Sequence, residues 1–503
     1  MGAAQRSLLE RGVRAAEQGR VVEGLSLIRQ AIVGSPNDPE AHAQLARWLS
    51  RLHRQAEADV AIERALALGP REARTFDTAG VVLSRGGRHG RAVRCFERAA
   101  ALEPGNAGFQ FNLASSLKFL GRFDEAEAAY EACIAADPRH WPAYSALGQL
   151  PRRQGGHEHL ARLQSLLDEG GLDIDAELHL RQALAKELEA LGRYDEAFAH
   201  LLAARARKRA ASRYAFGRDA ALFEAVTRAT PEPLSLDAAA TNDAPIFVVG
   251  MPRTGTTLLE RMLASHSQVA SVGESQNFAV LLKRATGTRT PTVLDPETIA
   301  RAATVDVAAL GREYLERTRP HGDRPRFVDK MPLNFFYLGH IARALPGARF
   351  VALRRHPLDT VVASFRQLFA TSMPYYEYAY DLGDAARYWL AYGALIEHWQ
   401  KVLPGRLVEL GYESLVNEPE RTLRAVLDHC GLPWEAACLE FNRNPEAVAT
   451  ASAVQVRQPI YASSVGRWRR YQAHLAPALT VLAAAGIELD AAAGEPGSAR
   501  DFS

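Results

Sequence analysis

The stretch Pro245–Leu263, PIFVVGMPRTGTTLLERML, decides how the second half of the chain is read. An apolar run, Ile246–Val249, ends at Gly250, and Gly255 is followed by two threonines and a segment with helical apolar spacing. The pattern predicts a buried strand, a tight loop and a helix beginning at Thr256. A loop of this kind aims consecutive backbone N–H groups outward at the positive end of the helix and forms a cradle for a phosphate or sulfate. Arg253 adds a cation, and Thr254, Gly255, Thr256 and Thr257 add backbone and hydroxyl donors.

Downstream, short apolar runs alternate with helical patterns. RFVDK, ARFVALRR and GRLVELGYE read as strands, and FYLGHIARAL, PLDTVVASFRQLF and a long segment near 381–403 as helices. Such alternation predicts a central parallel sheet with covering helices. Upstream the texture differs. Pro36, Pro70, Pro104 and Pro138 recur every 34 residues, as do Gly19, His53, Gly87 and Gly121. Gly24, Ala58, Ala92 and Ala126 follow the same interval, and so do Ile28, Ile62, Phe96 and Tyr130. A glycine closes one helix in a left-handed turn, a small residue lets two helices approach, and a proline ends the second helix. Over residues 8–140 this period resembles the tetratricopeptide repeat, with His53 in the glycine slot of a degenerate copy. Gly192 and Ala197 restore the pattern in a last, degenerate repeat. The expected organisation is a helical solenoid over 1–210, a linker helix and loop over 211–243 containing the run Thr230–Ala244, an α/β domain over 244–480 and a tail over 481–503.

The loop departs from that of nucleoside triphosphatases, which place Lys where Thr256 stands. A triphosphatase also needs a carboxylate for Mg²⁺; only Asp329, at a strand end, is placed for one. Pro252–Thr257 instead resembles the 5′-phosphosulfate loop of sulfotransferases, Pro-Lys/Arg-Ser/Thr-Gly-Thr-Thr. The donor implied is 3′-phosphoadenosine 5′-phosphosulfate, used without a metal. The resemblance spans roughly residues 245–475. It implies a second anion site for the 3′-phosphate, and Arg355, Pro357 and Asp359 fall in register with the family's segment for it. The family places a serine eight residues after the Arg; here that position is Ala363, and Ser364 comes next. Either Ser364 substitutes through a small shift or the hydroxyl comes from elsewhere. Arg457–Tyr471, RQPIYASSVGRWRRY, resembles the family's closing loop, which implies donor contacts from Tyr461, Ser463, Ser464 and Arg467. LGYESLVNEP resembles the Tyr-Glu-x-Leu segment, which puts Tyr412 beside the adenine.

Sulfuryl transfer needs a base for the acceptor hydroxyl and cations for charge on the bridging oxygen. The cations are Arg253 and Lys330; Lys330 could alternatively pair with Asp329 or another carboxylate. Glu274, in a Gly-Glu pair 21 residues after Arg253, resembles in position the base of tyrosylprotein sulfotransferases. Small-molecule sulfotransferases use a histidine, but neither His340 nor His356 sits in a matching motif.

The chain has 503 residues, 47% hydrophobic and 23% charged, with net charge +2, so no global field points to nucleic acid or an anionic membrane. No window reads as a membrane span or signal peptide, and the four cysteines have no metal-ligand spacing. A soluble cytoplasmic protein with reduced thiols is expected. The acceptor is open; a polypeptide held in the repeat groove is one class, and repeats also serve self-association. Two other functions compete: a nucleotide kinase or hydrolase with an atypical loop, and a non-catalytic scaffold.

Overall fold

The computed structural model describes residues 2–151, 156–235, 245–319, 324–371 and 373–489. Residues 236–243 of the expected linker, residue 244 of the expected α/β domain and 490–503 of the expected tail lie outside these. The chain divides into two compact units, Met1–Pro151 with Pro445–Val454, and Arg152–Asn444 with Gln455–Ser503.

The first unit is a run of antiparallel helices: α1 Ala3–Glu17, α2 Val21–Gly34, α3 Pro39–Arg51, α4 Gln55–Ala67, α5 Ala73–Arg85, α6 His89–Leu102, α7 Ala107–Leu120, α8 Phe123–Ala136 and α9 Trp141–Leu147. The residue that turns each pair has φ of +83° at Gly19, +75° at Gly87 and +79° at Gly121. His53 takes the same left-handed conformation, φ +56°, so the repeat geometry survives the loss of glycine there. The small residues sit where helices touch. A Cβ on Gly24 would lie 2.6 Å from the Gly12 carbonyl and the Ala16 methyl. Ala58, Ala92 and Ala126 are fully buried, as are Ile28, Ile62 and Tyr130. The segment Pro445–Val454 joins this unit, with the Val448 amide donating to the Phe119 carbonyl at 3.0 Å.

The second unit opens with α10 Gly156–Asp168, α11 Ile174–Ala190, α12 Tyr194–Ala211 and α13 Phe216–Ala229. The helix pair that reads as a last repeat, α11 and α12, therefore lies in the α/β unit. The sheet has five strands: β1 Pro245–Gly250, β2 Val269–Ser271, β3 Arg326–Asp329, β4 Arg349–Arg354 and β5 Leu407–Gly411. Their order is β2-β3-β1-β4-β5, all parallel. The covering helices are α14 Thr256–Ala264, α15 Asn277–Thr286, α16 Pro296–Arg301, α17 Val307–Thr318, α18 Leu338–Ala344, α19 Pro357–Arg366 and α20 Leu382–Val402. Strand β1 is central and buried at every residue, which its uninterrupted apolar run anticipates.

Helix α13 falls where a linker is expected, yet it is part of the core. Its face of Leu222, Phe223 and Val226 is buried, and the Phe223 ring lies 4.9 Å from that of Phe336 and 5.2 Å from that of Tyr388. Amphipathic spacing alone does not say what a helix packs on, and here it is the α/β core. Phe223→Ala is expected to lower the unfolding free energy of the second unit by about 3–5 kcal/mol. Urea denaturation followed by near-UV circular dichroism measures it; a loss under about 1 kcal/mol would mean that α13 is only draped on the surface.

Candidate functional site

In a parallel sheet all carboxyl ends share one edge, and α/β sheets bind ligands there. Every strand of this sheet delivers one expected site residue to that edge within a few positions of its end: Glu274 after β2, Lys330 after β3, Arg253 after β1, Arg355 after β4 and Tyr412 after β5. Strand order thus places Glu274 and Lys330 on one side of the Arg253 loop and Arg355 and Tyr412 on the other.

The loop between β1 and α14 is tightly made. Arg253 has φ +70° and Gly255 φ +101°. Together with His53, Arg253 is one of two non-glycine residues in the left-handed region among the described residues. The Thr254 hydroxyl donates to the Met251 carbonyl at 2.7 Å and closes the turn. Among the described residues no side chain caps the start of α14, where the helix dipole is positive. Thr256 and Thr257 form its first turn and are mostly buried. Gly255 leaves room for Tyr412, since a Cβ there would lie 2.4 Å from the Tyr412 ring.

Arg355 ties the donor-side segments together. Its guanidinium donates to the Arg253 carbonyl at 3.1 Å and to the Ser464 carbonyl, and it lies 4.6 Å over the Tyr412 ring. The Tyr412 and Ser464 hydroxyls bond at 2.6 Å. Asp359 accepts from the Gly466 and Trp468 amides at 2.7 and 3.0 Å and so anchors the closing loop to α19. Tyr461 and Arg467 reach the same cluster, both within electrostatic range of Arg355. Burial, then Arg355 and Arg366, pull the Arg253 guanidinium down to about 10. Ser463 is solvent-exposed, and Ser364 is fully buried beside Tyr378.

On the other side, Lys330 is fully buried. Its ammonium bonds the Glu274 carboxylate and lies 3.6 Å from Glu260. Burial alone would lower it; Glu274 and Glu260 outweigh that and hold it raised, hence charged. Glu274 is 41% exposed. Asp329 does not pair with Lys330; it accepts from the Tyr314 hydroxyl at 2.7 Å inside the core, where burial raises it to about 7. His340 is buried and lowered to about 4, and the His356 ring stacks on Trp468 near the Arg355 side.

The sequence pattern missed Glu260, one turn beyond the loop threonines, which bonds the Ser271 hydroxyl at 2.5 Å as well as facing Lys330. It also missed Arg366, held bidentately by Glu189 with one contact at 2.6 Å. Nothing local marks Glu189, which lies on α11. Among the described residues, no cluster of His, Cys, Asp and Glu is arranged to hold a metal ion, and no helix is long and apolar enough to cross a membrane.

Residues 245–436 match the model of the sulfotransferase family, and residues 85–150 that of the tetratricopeptide repeat. These matches bear out the two resemblances that the motifs carry. An uncharacterised protein of Aquifex aeolicus (strain VF5) is 32% identical over 383 residues, 74% of this chain and 49% of its own length. A protein-tyrosine sulfotransferase of Drosophila melanogaster is 26% identical over 257 residues, 47% of this chain and 51% of its own. The chain thus spans about half the length of each. A sulfotransferase domain from the curacin biosynthetic pathway superposes with TM-score 0.34 and 17% identity, covering 49% of this chain and 98% of that domain.

Asp329 offers a pH test of the edge. A carboxyl raised in the folded state stabilises the fold below its unfolded value and loses that contribution as pH rises through its folded one. Between about pH 4 and 7 the stability gap between wild type and Asp329→Asn is expected to change by an amount on the order of 4 kcal/mol. Parallel pH profiles from chemical denaturation would show that Asp329 is ionised in the fold.

Proposed function

We propose that the protein transfers a sulfuryl group from 3′-phosphoadenosine 5′-phosphosulfate to an acceptor hydroxyl. The observation that carries this is the hydrogen bond that joins Arg355 directly to the Arg253 loop at the sheet edge. Nε of Arg355 and Nε of Arg467 are buried and meet no hydrogen-bond acceptor among the described residues, which fits a phosphate-bearing ligand there. The donor supplies the sulfuryl group and leaves as adenosine 3′,5′-bisphosphate. The loop amides, Arg253, Thr256 and Thr257 hold its 5′ end, and Arg355 with the closing loop holds its 3′-phosphate. Tyr412 packs by the base.

Glu274 accepts the acceptor's proton as its oxygen bonds to sulfur. The electron pair of the breaking sulfur–oxygen bond passes to the phosphate, where Arg253 and Lys330 neutralise it. Lys330 also aims Glu274 in the resting state. Some relatives bear the name protein-tyrosine sulfotransferase; a polypeptide acceptor, recruited by the repeats, suits this chain too. Its four buried free thiols suit the cytoplasm.

Thermal-shift and calorimetric titration with adenosine 3′,5′-bisphosphate against ATP plus Mg²⁺ tests the donor class; preference for ATP would overturn it. Arg253→Ala and Arg355→Ala are each expected to weaken bisphosphate binding about tenfold or more; unchanged affinity in both would sink the assignment. Glu274→Ala is expected to cut sulfuryl transfer by roughly 10²–10⁴ while leaving bisphosphate affinity within about threefold. Equal loss of both would make Glu274 a structural residue.

A further inference from the structure

Helix α11 precedes the matched domain by more than fifty residues, yet it forms part of the donor-side cluster. Together α11 and α12 grip the end of α19, the helix that follows Arg355. Arg205 of α12, almost wholly buried, donates to the Phe365 carbonyl at 3.0 Å and to Gln182 at 2.6 Å. Gln182 of α11 in turn donates to the Arg366 carbonyl at 3.0 Å. The Phe198 ring stacks on Phe365 and packs on Tyr471 of the closing segment. Carbonyls at a helix C-terminus carry partial negative charge, so a buried arginine there is favourable as well as geometrically fixed.

On the crevice side, Glu189 of α11 is a hub. It accepts from Arg366, from Tyr471 at 2.9 Å and from Lys186 at 3.3 Å. Burial raises this carboxyl, but Lys186 and Arg366 outweigh that and leave it lowered, so it stays ionised. Lys186 stands within electrostatic reach of Arg366 and of Arg253, the loop cation. Five cations therefore gather here, Lys186, Arg253, Arg355, Arg366 and Arg467, each interacting with at least one other. The carboxylates among them are Glu189 and Asp359, and Asp359 already accepts two backbone amides. Concentrating like charges in a partly desolvated space is costly unless an anion joins them. Burial, then Arg366, lower the Lys186 ammonium to about 8 despite Glu189, and the side chain keeps 26% of its surface exposed.

We propose that Lys186, supplied by the repeat-like helix α11, binds a phosphate of the nucleotide donor alongside Arg253 and Arg366. This rests on the crevice taking the adenosine nucleotide proposed above. The helix pair α11–α12 is then a wall of the nucleotide site, and the boundary of the catalytic body lies before α11, well upstream of the strand that opens the matched domain.

The test uses the full chain and adenosine 3′,5′-bisphosphate as probe. Calorimetry on wild type comes first; no binding there overturns the nucleotide reading itself, and this inference with it. Given wild-type binding, Lys186→Met is expected to weaken it about 10- to 100-fold, and Lys186→Arg to keep it within about threefold. Equal affinity in wild type and Lys186→Met overturns the assignment of Lys186 alone, as does equal loss in both variants, which would mark a packing role. A second measurement needs no variant. Acylation of wild type with a lysine-reactive ester, read by mass spectrometry, is expected to show Lys186 at least fivefold protected by the bisphosphate, while exposed Lys401 reacts unchanged. Unprotected Lys186 in the presence of saturating nucleotide would also refute the proposal.

Discussion

The Arg355 guanidinium is the contact on which the donor side of this sheet edge depends. Its nitrogens reach the carbonyl of Arg253 and the carbonyl of Ser464, while its plane covers Tyr412. Segments more than a hundred residues apart converge on one rigid cation. A lysine could not reproduce this, because a single ammonium lacks the flat fork that serves two acceptors and stacks on a ring. The bond to the Arg253 carbonyl has a further effect. Arg253 holds a left-handed backbone, which costs a residue with a Cβ on the order of 1 kcal/mol or more. Fixing that carbonyl from outside helps keep the loop in its ligand-ready form. Tyr412 completes the arrangement, filling the space that Gly255 leaves open.

Much of this was legible from local pattern. Strand, loop and helix around Pro245–Leu263 follow from the apolar run, two glycines and a helical spacing, and three further strands follow from apolar runs, whereas the sulfotransferase resemblance is what singled out Glu274, Arg355 and Tyr412. The 34-residue period was legible because each slot has one physical job, and His53 shows that the turn conformation outlasts the residue that favours it. Pairings across distance were not legible. Asp329 is the neighbour of Lys330, yet successive strand residues face opposite ways. Asp329 turns to Tyr314 in the core, and Lys330 turns to Glu274 and Glu260. Nor did the sequence reveal what α11, α12 and α13 pack on. Helical periodicity marks a buried face and is silent about the partner, so a helix that reads as the end of a solenoid or as a linker can belong to the α/β core.

The strand order separates two electrostatic tasks. Neighbouring strands lie about 4.8 Å apart, so the five ends spread over roughly 19 Å, with the Arg253 loop in the middle. On the β4–β5 side arginines outnumber carboxylates, and Arg253, Arg355, Arg366 and Arg467 act on one another. On the β2–β3 side the balance differs: the fully buried Lys330 faces two carboxylates, Glu274 and Glu260. The edge is thus rich in positive charge at its β4–β5 half and carries paired charge at its β2–β3 half. The width of the central strand and its loop stands between the two halves, so Glu274 pairs with Lys330 and not with the arginines of the other half.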